Sequence, residues 1–172
     1  MGMKSKLRKA VFFDRDGTLN VDHGYVHDWD NFAWIPGAQD AIKLANHHNY
    51  LVFVVTNQSG IGRGYFSADD VRKLHIQMNH DLKRIGAHID AFEFCPHHPD
   101  ATLPEYKKDS NYRKPAAGML TKLINNWQID TDHSFLIGDK ESDVVAAKNA
   151  NISGYLFTGA NLYECLSQHL NS

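Results

Sequence analysis

Two aspartates spaced one residue apart, Asp14 and Asp16, interrupt an apolar run at Val11–Phe13 and are followed at once by Gly17 and Thr18. Side chains alternate along a strand, so residues i and i+2 project to the same side at the point where the chain leaves a sheet. Two carboxylates that close repel each other unless a proton or a cation is shared between them. The pair suits phosphoryl transfer, in which one carboxylate attacks phosphorus, the other handles the leaving-group proton, and Mg²⁺ holds the charge. A bare Asp-x-Asp is also what an acidic turn capping a helix looks like, so the rest of the chain must decide.

Three further clusters carry chemistry. Thr56, Asn57, Gln58 and Ser59 end a second apolar run and lead into Gly60, Gly62 and Gly64. A hydroxyl and backbone N–H groups at such a place can cradle phosphate oxygens, with glycines letting the backbone approach closely; the alternative is a solvated turn. Arg113 and Lys114 precede Pro115, which is expected to open a helix. That puts the basic pair at a helix N-terminus, where an anion is favoured, or makes it an ordinary solvated pair. Gly138 and Asp139 follow a later apolar run, with Lys140 next and Asp143 one helical turn on. A third carboxylate there completes a hard oxygen site for Mg²⁺, or caps a helix. Asp143 either supports the metal through water or serves as that cap.

Positioning these groups falls to an alternation of apolar stretches and helical patterns. Residues 9–13, 50–55, 90–94, 134–137 and 154–157 read as buried strands, and LVFVV is apolar on both faces, as a central parallel strand requires. Helical periodicity covers 37–48 and 67–85, the latter opened by Ser67 and Asp70 as an N-terminal box. It returns after Pro115 through Trp127, over 142–150 and over 160–169. The order predicts a three-layer α/β/α sandwich with a mostly parallel, Rossmann-like sheet, and ligands bind beyond the carboxyl ends of such strands. The clusters at Asp14–Thr18, Thr56–Ser59 and Gly138–Asp143 sit there. One domain over residues 1–172 is expected, without a cap domain, so the irregular segments 20–36 and 95–114 must shape access.

Composition narrows the class of partner. At 172 residues the chain can bury one sizeable core. A formal net charge of −2 argues against a nucleic-acid binder, which would usually be basic. Two cysteines, Cys95 and Cys165, make no disulfide framework, which fits a reducing compartment. The basic N-terminus is followed by only Val11, Phe12 and Phe13 before Asp14, too short an apolar core for a signal peptide. No run approaches a transmembrane span. The expectation is a cytoplasmic monomer acting on a small molecule, with no membrane and no nucleic acid.

Taken in order, DRDGT, TNQ, RKP and GDKESD resemble the four motifs of the haloacid dehalogenase-like phosphohydrolase superfamily, across the whole chain. The resemblance implies that Asp14 is the nucleophile and Asp16 the acid and base. It implies that Thr56 and Lys114 hold the transferring phosphoryl group. Mg²⁺ would sit on Asp14, the backbone carbonyl of Asp16, and Asp139. More narrowly, NVDHGYVHDWDNFAWIPG, TNQSGIGRGYF and CPHHP resemble the D-glycero-D-manno-heptose 1,7-bisphosphate 7-phosphatases, near relatives of histidinol-phosphate phosphatases. That likeness implies a phosphosugar site formed by Asp22, His23, Gly24, Tyr25, Asn57, Gln58, Ser59 and Arg113, with Arg15 and Lys140 as further substrate-binding candidates. Arg63 and Arg113 are candidates for a second phosphate on charge and placement. The competing readings are histidinol-phosphate hydrolysis, a nucleic-acid 3′-phosphatase, and a catalytically retired phosphosugar-binding domain.

The chain departs from these families at their zinc loop, Cys-x-His followed by Cys-x-Cys just before Arg-Lys-Pro. Cys95 and His97 supply the first half, but Ser110, Asn111 and Tyr112 stand in the second. A structural tetrahedral site needs four good ligands, and only His98 and Asp109 are at hand as substitutes, so structural Zn²⁺ is not expected. Cys95 then reads as a small buried hydrophobe. His47, His48, His75, His80 and His88 read as surface or core filler.

Overall fold

A computed structural model describes residues 6–170; the first five residues, at the head of the basic N-terminus, lie outside them. Five strands form one sheet: β1 Ala10–Phe13, β2 Leu51–Asn57, β3 Ala91–Cys95, β4 Phe135–Gly138 and β5 Ser153–Leu156, in the order β3-β2-β1-β4-β5. Every pairing is parallel. The strands recur within a residue or two of the expected ends, but only β1, β2 and β4 are buried as expected. The edge strands β3 and β5 are largely half-buried to exposed, because each has a sheet neighbour on one side only. The sheet is parallel throughout rather than mostly so.

The helices are α1 Ala38–His47, α2 Ser59–Gly62, α3 Ala68–Lys83, α4 Gly118–Trp127, α5 Glu141–Asn149 and α6 Leu162–Ser167. Strand alternation explains the three layers. Val11, Phe13, Val52, Val54 and Ile137 enter one core with Ile42 of α1, Met78 and Leu82 of α3, and Leu162 and Leu166 of α6. Phe12, Phe53, Val55 and Leu136 enter the other, with Met119, Leu120 and Leu123 of α4 and Ala146 and Ala147 of α5. Each of the larger side chains taken out of water contributes about 1.5–3 kcal/mol, so the sheet is clamped from both sides. No helix among the described residues is long and apolar enough to cross a membrane.

Two helix expectations need correction. Helix α4 begins at Gly118, not at Pro115; the Lys114–Pro115 peptide is cis and lies in a turn in which Ala116 N–H donates to the Arg113 carbonyl at 2.8 Å. Arg113 and Lys114 therefore do not sit at a helix N-terminus. The short α2 had no apolar periodicity to announce it. Its Gly60 is demanded by packing, since a Cβ there would stand 2.2 Å from the Phe66 ring and 3.1 Å from Tyr25.

Segments 20–36 and 95–114 are long but tied down. The first carries a 3₁₀ turn at Trp29–Asn31 and docks on α3 through Trp34 Nε1, which donates to Asp81 at 2.8 Å. The second carries a 3₁₀ turn at Pro104–Tyr106. Because β1 has β2 and β4 as immediate neighbours, residues 14–17, 56–59 and 138–143 emerge side by side at one edge of the sheet.

Candidate active site

Asp14 leaves β1 with its backbone N–H donating to the Ile137 carbonyl at 3.1 Å, which keeps the sheet register up to the carboxylate itself. Lys114 reaches in from the turn before α4. Its Nζ donates to Asp14 Oδ1 at 2.7 Å, to Asp143 Oδ1 at 2.6 Å and to the Val55 carbonyl at 2.8 Å. All three charged side chains are almost wholly buried, 3% exposed for Lys114, 9% for Asp14 and 2% for Asp143. Burial pushes the Asp14 carboxyl up to about 7 against the attraction of Lys114, and the Asp143 charge adds to the rise. Desolvation pulls the Lys114 ammonium down, but Asp14 and Asp143 outweigh it and the net push is upward, so the cation stays charged.

Asn57 holds the turn that delivers this lysine. Its Nδ2 donates to the Lys114 carbonyl and its Oδ1 accepts from the Lys114 N–H, both at 3.0 Å. Asp16 is fixed by three donors: Arg15 Nη2 at 3.0 and 3.2 Å, Asn20 Nδ2 at 3.0 Å and Gln58 Nε2 at 2.9 Å. The same Gln58 nitrogen donates to Thr56 Oγ1 at 2.9 Å, coupling the second strand end to the first. Gly17 takes φ +87° and passes so close to Asp139 that a Cβ would stand 2.2 Å from Oδ2. Only glycine lets the Asp14–Thr18 turn and the Asp139 carboxylate share that space.

These groups enclose a well of about 50 Å³ lined by Asp14, Asp16, Thr56, Asn57, Lys114, Lys140, Ser142 and Asp143. It adjoins a cleft of about 250 Å³ whose lining includes Asp22, Gly24, Tyr25, Gln58, Ser59 and Gly60, and the two share Asp16, Asn57 and Lys140. The amino end of α5 contributes Ser142 to the well, so the helix end favouring an anion is that of α5 rather than α4. A larger hollow of about 420 Å³, lined by Lys6, Arg8, Lys9, Asn49, Asp130 and His133 among others, lies at the amino ends of the strands. It gathers no pair of carboxylates.

Among the sequence candidates, Asp14, Asp16, Thr56, Asn57, Lys114 and Lys140 meet at the well, and Asp22, Gly24, Tyr25, Gln58 and Ser59 at the cleft. His23 lies on the exposed loop beside them without lining either. Arg113 is half-buried outside both, under the influence of Arg63; Arg113 Nη1 and Arg63 Nε are buried without a hydrogen-bond partner. Arg15 is a correction. Its side chain is fully buried against Asp16, Val26 and His75, so it holds the site from behind rather than touching a ligand. Sequence reasoning missed Asn20 and Ser142; only their nearness to the aspartate motifs marked them.

The cation that the resemblance implies can be tested on this geometry. Ligand oxygens of Asp14, Asp139 and Asp143 lie within 4.8 Å of one another. Three carboxylates converge there, of which Lys114 bonds to Asp14 and Asp143, and a hard divalent ion is a fitting complement to such an oxygen-rich cluster. In the loop where the resemblance places zinc, burial pushes the Cys95 thiol up, His97 Nδ1 is buried without a hydrogen-bond partner, and His98 Nδ1 accepts from the Asp100 N–H at 2.9 Å. Asp109 is exposed, and no other trio of Cys, His, Asp or Glu ligand atoms converges among the described residues.

A parallel sheet whose central strand ends in Asp-x-Asp, flanked by a threonine, a buried lysine and a third aspartate, defines a domain of the haloacid dehalogenase-like class. Residues 9–155 match the family described as Polynucleotide kinase 3 phosphatase. A D-glycero-beta-D-manno-heptose-1,7-bisphosphate 7-phosphatase of Rhodopseudomonas palustris is 46% identical over 155 residues, covering 90% of this chain and 86% of the relative. The D,D-heptose 1,7-bisphosphate phosphatase of B. bronchiseptica, solved with magnesium and phosphate, superposes with a TM-score of 0.79 at 30% identity, over 93% of this chain and 86% of that one. A HAD-like phosphatase from Mesorhizobium loti superposes at 0.84 with 36% identity, over 89% and 74%. The chain belongs to the Polynucleotide kinase 3 phosphatase family and to the family of the heptose-1,7-bisphosphate 7-phosphatases.

Proposed function

We propose that the protein hydrolyses a phosphomonoester through an aspartyl-phosphate on Asp14, removing the 7-phosphate of D-glycero-β-D-manno-heptose 1,7-bisphosphate. The observation that carries the reading is the small well, with Asp14 held by Lys114 at 2.7 Å and Asp16 held by three donors, opening into a cleft of sugar size. In the first step an Asp14 oxygen attacks phosphorus, the bond to the sugar oxygen breaks, and Asp16 gives that oxygen its proton. In the second, Asp16 takes a proton from water as the water attacks the aspartyl-phosphate, and inorganic phosphate and the Asp14 carboxylate are released. Lys114 and Thr56 hold the equatorial oxygens while charge redistributes among them. Asp14, Asp139 and the Asp16 carbonyl would hold Mg²⁺, whose charge offsets that of the phosphoryl oxygens.

Asp22, Gly24 and Tyr25 on one wall and Gln58 and Ser59 on the other would take the sugar, with Lys140 at the mouth. The unpartnered nitrogens of Arg63 and Arg113 support these two as the grip on a second phosphate. The reading carries with it a cytoplasmic monomer whose 95–114 loop closes without zinc. The free thiols of Cys95 and Cys165 support the compartment, and the donor set around Cys95 supports the loop.

Phosphate release with Mg²⁺ tests the substrate. The panel is both anomers of heptose 1,7-bisphosphate, fructose 1,6-bisphosphate, histidinol phosphate and a 3′-phosphorylated oligonucleotide. The β-heptose bisphosphate should be turned over preferentially. Preference for histidinol phosphate or the oligonucleotide would move the enzyme to that substrate, and silence across the panel would leave a binding domain.

A further inference from the structure

Arg15 stands between the two aspartates in sequence, yet its guanidinium is wholly buried and serves three neighbours. Nη2 donates to both oxygens of Asp16 and to the Val26 carbonyl, and Nη1 meets His75 Nε2 at 3.3 Å. A guanidinium can only donate, so His75 Nε2 must carry the lone pair and the ring proton must sit on Nδ1. His75 lies on α3 and is 4% exposed. Its ring is stacked on Phe92 of β3 at 4.3 Å and 14°, with Phe94 edge-on at 6.1 Å. The charged groups nearby are Arg15, from the β1 end, and Arg72 of α3, which lies over the Phe94 ring at 5.5 Å. Burial, and after it the Arg15 charge, holds the imidazole well below the usual histidine range, in keeping with a neutral acceptor.

The chain of contacts ends in two functional places. Asp16 is the proposed acid and base, and Val26 closes the loop whose Asp22, Gly24 and Tyr25 line the cleft. Arg15 Nε has no hydrogen-bond partner, so His75 is the only group holding the Nη1 side of the fork among the described residues. Without it the Nη1 side of the fork loses its one partner, and the placing of Arg15 against Asp16 rests on the Nη2 contacts, with Asn20 and Gln58 left to hold the carboxylate. We propose that His75 is a positioning residue for the phosphatase reaction: by accepting from Arg15 it sets the place of the Asp16 carboxylate from outside the active site. The proposal rests on the phosphatase reading given above.

His75→Phe keeps a ring on Phe92 and deletes the acceptor, His75→Gln places an oxygen at comparable reach, and His75→Asn holds its oxygen too short. With the β-heptose bisphosphate and Mg²⁺, kcat should fall about tenfold in the Phe and Asn variants, since a misplacement well under 1 Å is already costly. KM should change less than about twofold, and the Gln variant should stay within about threefold of wild type in kcat. A kcat unchanged in Phe and Asn, a loss confined to KM, or a Gln variant as impaired as the other two overturns the proposal. Should the Phe variant fail to fold, the Gln and Asn pair decides alone. A readout independent of turnover is ¹⁵N NMR of the histidine rings in the wild-type protein. His75 Nε2 should be unprotonated at neutral pH, and a proton found on it contradicts the assignment whether or not the heptose substrate is correct.

Discussion

Replacing Lys114 by Met is the sharpest perturbation of the buried charge cluster. The methionine fills much the same volume but removes bonds at 2.7 Å to Asp14, 2.6 Å to Asp143 and 2.8 Å to the Val55 carbonyl. Two carboxylates 9% and 2% exposed are then left facing each other without their cation. Breaking a buried pair from one side costs about 3–5 kcal/mol. The loss should lie near the lower end, because Asp14, already pushed up to about 7, can take a proton and silence the repulsion. For a chain of this size that is a fall in Tm of about 6–12 °C.

The pH dependence of that loss has a definite sign. An Asp14 pKa raised above its ordinary 3.8 means the folded state binds more protons between the two values, so stability falls as pH rises through that window. Losing Lys114 lifts the folded value further and extends the window upward. The gap between variant and wild type should therefore be wider at about pH 8 than at about pH 5.5, measured by urea unfolding in EDTA. Activity should fall by at least about 10²-fold with the loss of a phosphoryl-holding cation. A gap below about 1 kcal/mol at the higher pH, or one that narrows as pH rises, would refute the charge-cluster argument.

Two more predictions follow from the same geometry. Millimolar Mg²⁺ should raise Tm over the EDTA sample, by an amount set by its saturation of the folded state; Asp139→Asn should abolish most of that rise, and an undiminished rise would place the ion elsewhere. Arg113→Ala should raise KM for the heptose bisphosphate at least about tenfold while changing KM for a monophosphate by less than about twofold, as loss of a charged grip on one phosphate requires; equal effects on the two would remove Arg113 from the second-phosphate site.

Much of the scaffold was legible because its signals are local. The three central strands β1, β2 and β4 are short apolar runs, and each stops at a polar cluster whose chemistry needs only two or three adjacent residues, as at Asp14–Asp16 and Gly138–Asp139. What escaped depends on contacts distant in sequence. Arg15 looked like a substrate contact because it neighbours two aspartates, but its direction is set by His75 on α3 and by the Val26 carbonyl. His75 itself looked like filler, since an isolated histidine on a helix carries no pattern. Pro115 reads as a helix opener on its own, while the Asn57 clasp on Lys114 holds that turn apart from α4. Gly60 reads as a place for a ligand to approach the backbone, and it does line the cleft, but a second reason for glycine there, the Phe66 ring filling the direction a Cβ would take, depends on a contact that no local pattern shows.

The central claim is that phosphate passes through Asp14. Rapid mixing with substrate and Mg²⁺, acid quench and mass spectrometry of the peptide containing Asp14 tests it most directly. The account predicts a phosphoryl group on Asp14 that forms before product, decays at the turnover rate and is absent in Asp14→Asn, which should also be inactive. Full turnover with no phosphoryl group on that peptide, or an active Asp14→Asn variant, would contradict it.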